Sequence, residues 1–132
     1  MAGSDEKGNE LAAEEAVQLL KIEIMAQDWS LSSRRATGVG EALKVLHPFM
    51  KGRKGAIHIM GMARGALDHI VLHGREVRPE VMDFLKAALA NIVTLYEDEG
   101  AGGGAREAEL FHRTYDNFKK LKAMVAGRKK IR

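Results

Sequence analysis

PEVMDFLKAALANIVTLYE, residues 79–97, is the stretch of sequence that decides the fold class. Its large apolar residues recur at three- and four-residue steps: Met82, Leu85, Leu89, Ile92 and Tyr96. This spacing places them on one face of an α-helix. Pro79 suits the first helical position, because the N–H that proline lacks would be unpaired there anyway. The stretch therefore predicts a long helix with one buried face.

Helical periodicity recurs in four other segments and predicts an all-α fold. The predicted helices cover Glu10–Ala26, Ser33–Leu46, Gly55–Leu72 and Ala105–Ala126. No segment shows the period of two that is typical of a half-buried strand. We therefore expect a helical bundle of four main helices, with a fifth, C-terminal helix after a glycine linker.

The 132 residues suffice for one hydrophobic core with short flanking segments. The predicted segments are a disordered tail 1–9, a bundle core 10–97, a flexible linker 98–104, a C-terminal helix 105–126 and a basic tail 127–132. The linker contains the run GAGGG, which imposes no backbone preference. The fifth helix can then pack on the same core, reach a partner, or be exchanged between protomers to give a homodimer.

Charge is segregated along the chain, although the net charge is only +3. Residues 1–28, 29–78, 79–112 and 113–132 carry net charges of −5, +6, −5 and +7. Such alternation is typical of neighbouring antiparallel helices with weakly paired, solvated faces. It also fits an electrostatic docking surface for an acidic partner.

The sequence offers little for catalysis or metal binding. With no cysteine, it has no disulfide, no thiolate nucleophile and no cysteine-ligated metal. His69 and His73 are four residues apart but lack the glutamate of a helical H-E-x-x-H site, so they are better explained as ordinary histidines near a helix end. Seven methionines leave open a small ligand in the core, although methionine more often fills gaps. We predict no catalytic residue, no metal and no cofactor.

The chain also lacks the patterns of targeting and membrane segments. Residues 1–9 are polar and acidic, unlike a signal peptide, and no stretch approaches the roughly 18 apolar residues of a membrane span. We expect a cytoplasmic protein that does not bind membranes.

Two stretches, IMAQDWSL at 24–31 and VRPEVMDFL at 77–85, resemble a little-described family of helical bacterial modules. The shared features are a tryptophan two residues before an aliphatic residue at a helix start, and a later arginine-proline start of an apolar helix. Members of that family stand alone or follow receiver domains of two-component response regulators. The resemblance covers about residues 10–97. It implies a non-catalytic signalling bundle and carries over no catalytic residue.

A second resemblance is to histidine phosphotransfer domains. The residues KG at 54–55 followed by MGM at 60–62 are similar to the pattern after the phosphorylated histidine in that family. That histidine would stand three residues before the lysine, where this chain has Lys51, and His47 is four residues too early. The resemblance implies a degenerate domain that docks a receiver without accepting phosphate. The alternative is an active domain with His47 as phosphoacceptor.

The predicted function is a non-catalytic protein-interaction or regulatory module in bacterial two-component or related signalling, with a receiver domain or kinase as partner. The predicted docking residues are Arg34, Arg35, Lys51, Arg53 and Lys54. Reversing the last three to glutamate is expected to abolish partner binding and leave helicity intact. The alternative is a nucleic-acid binder whose affinity falls steeply with salt. Its residues would be Lys119, Lys120, Lys122, Arg128, Lys129, Lys130 and Arg132.

Overall fold

The computed structural model describes the backbone of residues 2–25, 33–73, 78–97 and 103–130. It describes side chains over the narrower ranges 12–25, 34–73, 78–97 and 105–125. Within these residues five α-helices form, and no strand does. They are α1 (Ala2–Met25), α2 (Ser33–Leu46), α3 (Lys54–His73), α4 (Pro79–Glu97) and α5 (Gly103–Lys130). The predicted all-α class is confirmed.

Two helices extend several residues beyond their predicted bounds, and α3 is one residue longer at each end. α1 begins at Ala2 instead of Glu10, so the segment predicted to be a disordered tail is helical from its second residue. α5 begins at Gly103, inside the predicted linker, and continues to Lys130, inside the predicted basic tail. Once a helix exists, each added residue fixes one backbone unit and gains one hydrogen bond. Glycine costs only about 1 kcal/mol in such an extension, so it does not force a helix to end.

A 3-10 turn, His47–Met50, follows α2, and Pro48 lies in its first positions. The Lys51 N–H donates to the Pro48 carbonyl oxygen over 3.4 Å, and this bond closes the turn. Gly52 then has a φ of 85°, in the left-handed region that glycine adopts without a steric penalty. The chain thus reverses within a few residues and delivers Arg53 to the start of α3.

The core is mainly aliphatic, and α1 to α4 all contribute to it. The largest fully buried side chains are Leu20, Leu43, Leu46, Met50, Ile59, Leu85, Leu89, Ile92, Leu95, Val39 and Val81. The apolar residues Ala36, Val39, Leu43 and Leu46 of α2 are all buried, whereas on α3 Ile59 is buried and Ile57 is only partly buried. α3 has a wide buried surface because it contacts α2, α4 and α5. None of the described helices is long and apolar enough to cross a membrane.

The helix contacts define the arrangement of the molecule. α1 packs against α2 and α4, and α3 packs against the same two helices. α5 packs on α3 and α4 of its own chain, with Thr114 and Leu121 buried and Phe111 and Phe118 partly buried. The Asn91 amide of α4 donates to the Thr114 hydroxyl over 3.0 Å. The helix after the predicted linker therefore contributes to the common core.

Candidate docking surface

The docking residue Arg53 lies inside a network of contacts between helices. Its Nε donates to Oε1 of Glu107 over 3.1 Å, and its Nη1 donates to the Leu95 carbonyl oxygen at the end of α4 over 2.8 Å. The Gly55 N–H donates to the other Glu107 oxygen over 2.8 Å. We call these four residues the α3–α5 junction. The side chains of Arg53 and Glu107 are only 22% and 15% exposed, so this guanidinium holds three helices together.

Arg35, another predicted docking residue, is also bound within the chain. Its Nη2 and Nε donate to the two carboxylate oxygens of Glu23 over 2.6 and 3.3 Å. Such a two-pronged pair fixes the orientation of both side chains as well as their distance. Glu23 is buried, and the pair joins α1 to α2. The neighbouring Arg34 is exposed.

The remaining predicted docking residues, Lys51 and Lys54, are exposed on either side of Gly52. Neither lysine forms a salt bridge in the part of the chain that the structure describes. Their charges are therefore available to a partner, in contrast to that of Arg53.

A basic cleft lies beside these lysines, between α2, the 3-10 turn and α3. It has a volume of about 390 Å³. Its rim carries Lys44, His47 and Arg64, and its floor includes Ile57 and Gly61. We call these five residues the basic cleft. It combines cations with an apolar floor on one surface.

Helix geometry explains how the α3 side of the cleft forms. Lys54, Ile57, Gly61 and Arg64 follow one another at steps of three and four residues, so they share one face of α3. A Cβ atom built at Gly61 would meet no atom within 4 Å, so the glycine leaves the middle of this face open. The absent side chain is what makes the surface concave.

The charges of the basic cleft are not neutralised by the residues that line it. Lys44 and Arg64 form no salt bridge among the described residues, and no carboxylate lines the cleft. Glu41 and Asp68 lie on the same two helices but outside the lining. Unpaired cations close together repel one another, so an incoming anionic group would relieve that repulsion as well as gain attraction.

The histidines offer little as a metal centre. His47 is exposed on the rim of the basic cleft, where a docked protein could reach it. The rings of His69 and His73 lie 4.2 Å apart between centroids, as their four-residue spacing predicts. Among the described residues, no group of three or more potential ligands is placed to hold a metal ion.

The alternative nucleic-acid surface lies on α5. Lys119, Lys120 and Lys122 are exposed, while Lys119 contacts Asp116 over 3.8 Å and lies 4.7 Å from the centre of the Tyr115 ring. The Lys122 ammonium lies 5.6 Å from the centre of the Phe118 ring. Four further cations were predicted to bind nucleic acid, and their side chains lie outside the described residues. They are Arg128, Lys129, Lys130 and Arg132. Phe118 packs against the buried Phe84, whereas Tyr115 is 43% exposed and stacks on Phe111.

Sequence reasoning missed three charged residues of this surface. Lys44 and Arg64 belong to the basic cleft, and Glu107 anchors Arg53. The spacing of Lys54, Gly61 and Arg64 could have predicted that they share the face of α3 that lines one side of the cleft. Nothing local signals Glu107, because it lies 54 residues from Arg53 along the chain.

The stretches that carry the family resemblances are only partly described. Trp29 and the residues on both sides of it lie outside the described part of the chain, whereas the helix start at Pro79 lies within it. Comparison of the chain with family models, with curated proteins and with solved structures finds no match.

Proposed function

We propose that this chain is a non-catalytic protein-interaction or regulatory module that binds an acidic protein surface through the basic cleft. Its architecture in this proposal is a four-helix bundle of α1 to α4 with α5 appended. The expected setting is bacterial two-component or related signalling, with a receiver domain or a kinase as the partner. The observation that carries the proposal is the cleft itself, where Lys44 and Arg64 lack carboxylate partners beside an apolar floor.

The physical basis of the proposal is the combination of charge and apolar surface. Unpaired cations steer an acidic protein toward the surface and reject basic ones. The partly buried Ile57 and the exposed Gly61 then offer apolar contact at the centre of a polar rim, which is the common anatomy of protein interfaces. Lys51 and Lys54 extend the positive surface beyond the cleft. A receiver domain has an acidic phosphorylation pocket, which supplies the complementary charge.

Two alternatives belong to other functional classes. One is phosphotransfer through His47, which is exposed on the rim of the basic cleft. It requires that His47 become labelled when the protein is incubated with phosphorylated receiver domains, and that His47→Gln remove the label. The other is nucleic-acid binding through the exposed lysines of α5.

The test is a binding measurement with purified receiver domains and kinases of the source organism, after nuclease treatment. The double variant Lys44→Glu/Arg64→Glu is expected to weaken binding at least about tenfold, because it reverses the charge that attracts the partner. The matched control is Lys120→Glu/Lys122→Glu, which reverses two exposed lysines on α5 and should leave protein binding unchanged. Helicity by circular dichroism checks that both variants fold.

A second pair of variants tests the shape of the cleft without changing its charge. Gly61→Met fills the floor of the basic cleft, whereas Gly65→Met adds the same side chain one turn further along α3. A Cβ atom meets nothing within 4 Å at either position. Only Gly61→Met is expected to reduce binding. Equal binding by all of these variants, or retention of nucleic acid alone, would contradict the proposed function.

A further inference from the structure

A second groove, of opposite charge, lies along α1 and the end of α4. It has a volume of about 920 Å³. Glu14, Glu15, Gln18 and Ile22 of α1 line it together with Glu97 of α4. No lysine or arginine is among its lining residues in the described part of the chain. We call these five residues the acidic groove.

The acidic groove contains both neutralised and free carboxylates. Glu97 accepts a hydrogen bond from the Lys21 ammonium over 2.6 Å, so its charge is largely satisfied. Glu14 and Glu15 are exposed and form no salt bridge among the described residues. Ile22 lies about two turns further along α1 than Glu14 and Glu15, and it is 67% exposed. The groove thus offers two free carboxylates and an apolar side chain.

The two charged surfaces lie on different pairs of helices. α1 contacts α2 and α4, and α3 contacts the same two helices. The acidic groove lies mainly along α1 and the end of α4, and the basic cleft lies between α2 and α3. The two surfaces come closest at one end of the bundle, where the Tyr96 ring of the groove lining contacts Phe49 of the 3-10 turn. A surface patch and its complement on different parts of one molecule can bind each other between copies.

We propose that copies of this chain associate head to tail, with the acidic groove of one copy bound to the basic cleft of the next. Glu14 and Glu15 would face Lys44 and Arg64 of the neighbouring copy. Ile22, too exposed to be a core residue, would cover the open floor of that cleft. The two surfaces match in charge and in apolar character, and one copy carries both.

This association differs in kind from the exchange of α5 between two protomers. Its interface is heterologous, so each added copy leaves one free cleft and one free groove, and the assembly grows unless it closes into a ring. Because its attraction is between exposed charges, added salt screens it. The inference shares the basic cleft with the proposed function, and a bound second copy would exclude the acidic partner from it.

The test uses the full chain without any partner, so its outcome is independent of the proposed function. Sedimentation velocity is measured over rising protein concentration in low salt and again in high salt. Two variants each inactivate one surface: Glu14→Gln/Glu15→Gln removes the groove carboxylates, and Lys44→Gln/Arg64→Gln removes the cleft cations. All four residues are exposed, so both variants should fold, which circular dichroism checks.

The wild-type chain is expected to form species larger than dimers in low salt and to dissociate in high salt. Each variant alone is expected to be monomeric. An equimolar mixture should give dimers and nothing larger, because the intact cleft of one variant can bind the intact groove of the other. Gly61→Met, which fills the cleft without changing its charge, should also prevent growth.

Three results would overturn the inference. The first is a wild-type chain that stays monomeric at every concentration in low salt. The second is a mixture of the two variants that yields no dimer. The third is an assembly that persists in both variants or in high salt, which would indicate another interface such as exchange of α5. If association occurs as expected and no acidic protein binds even to Glu14→Gln/Glu15→Gln, whose cleft is intact and unoccupied, the proposed function fails while this inference stands.

Discussion

Arg53 of the α3–α5 junction is as basic in the sequence as the cations of the basic cleft, yet its charge has a different role in the structure. At the junction, Arg53 is matched by a carboxylate and a carbonyl oxygen, and little of it is exposed. At the cleft, Lys44 and Arg64 are exposed and unmatched within the described residues. The contrast teaches that a basic residue in a loop is available for docking only if the fold has not already supplied its anion.

The largest effect expected from this contrast is on stability, at the neighbouring residues Arg53 and Lys54. Arg53→Glu would face two carboxylates toward each other and leave Leu95 without its donor, so we expect a loss of about 3 kcal/mol in the free energy of unfolding. Lys54→Glu is the control and should change it by less than about 0.5 kcal/mol. Chemical denaturation measures both. Equal losses of stability in the two variants would mean that the contacts of Arg53 at the junction do not stabilise the fold.

This expectation corrects the charge-reversal experiment that the sequence suggests. A triple reversal of Lys51, Arg53 and Lys54 is expected to disturb the fold through Arg53, so lost binding would be uninformative. The double reversal of Lys51 and Lys54 keeps the junction intact and still tests the docking surface.

The next largest effect should come from alanine at two glycines of α3, one in each region. A Cβ atom at Gly55 would lie 2.8 Å from Cγ and 3.3 Å from the carbonyl oxygen of Glu107. Gly55→Ala must therefore displace Glu107, and we expect it to cost about 2 kcal/mol. Gly61→Ala enters open space and should instead stabilise the helix by about 0.5 to 1 kcal/mol. Thermal denaturation measures both variants. Shifts of the melting temperature in opposite directions would support the contrast between the two regions, and shifts in the same direction would contradict it.

A smaller effect is expected at the polar contact between α4 and α5. Thr114→Val removes the acceptor of the Asn91 amide at a site where Thr114 is 3% exposed, so it should cost about 1 to 2 kcal/mol. Adding Asn91→Leu removes the unpaired donor and should recover part of that loss. A double-mutant cycle measures the coupling between the two side chains. No coupling would show that this hydrogen bond does not help to hold α5 on α4.

Local sequence patterns predicted the helices because helix formation depends on spacing within one segment. The bounds of α2 and α4 follow from apolar periodicity and from Pro79, and the break after α2 follows from Pro48. The starts of α1 and α5 were predicted wrongly because polar residues and glycines permit a helix without requiring one.

The surface was predicted less well, because it depends on which residues the fold brings together. Arg53 and Lys54 are adjacent in sequence and equally basic. Arg53 is part of the α3–α5 junction because it binds the distant Glu107, whereas Lys54 does not. Lys44 and Arg64 come from different helices and meet only because α2 packs on α3. Periodicity identifies one face of one helix, whereas a cleft forms between two helices.

The smallest effect on stability is expected at the exposed pair between Lys21 and Glu97, which are 40% and 49% exposed. Water solvates both groups well, so Lys21→Ala should change the free energy of unfolding by less than about 0.5 kcal/mol. The same variant nevertheless frees the Glu97 carboxylate in the acidic groove. Head-to-tail association should therefore strengthen in low salt while stability stays constant, which sedimentation and denaturation measure separately. If Lys21→Ala lost stability without changing association, the Lys21–Glu97 pair would contribute to the fold, as the charges of the α3–α5 junction do.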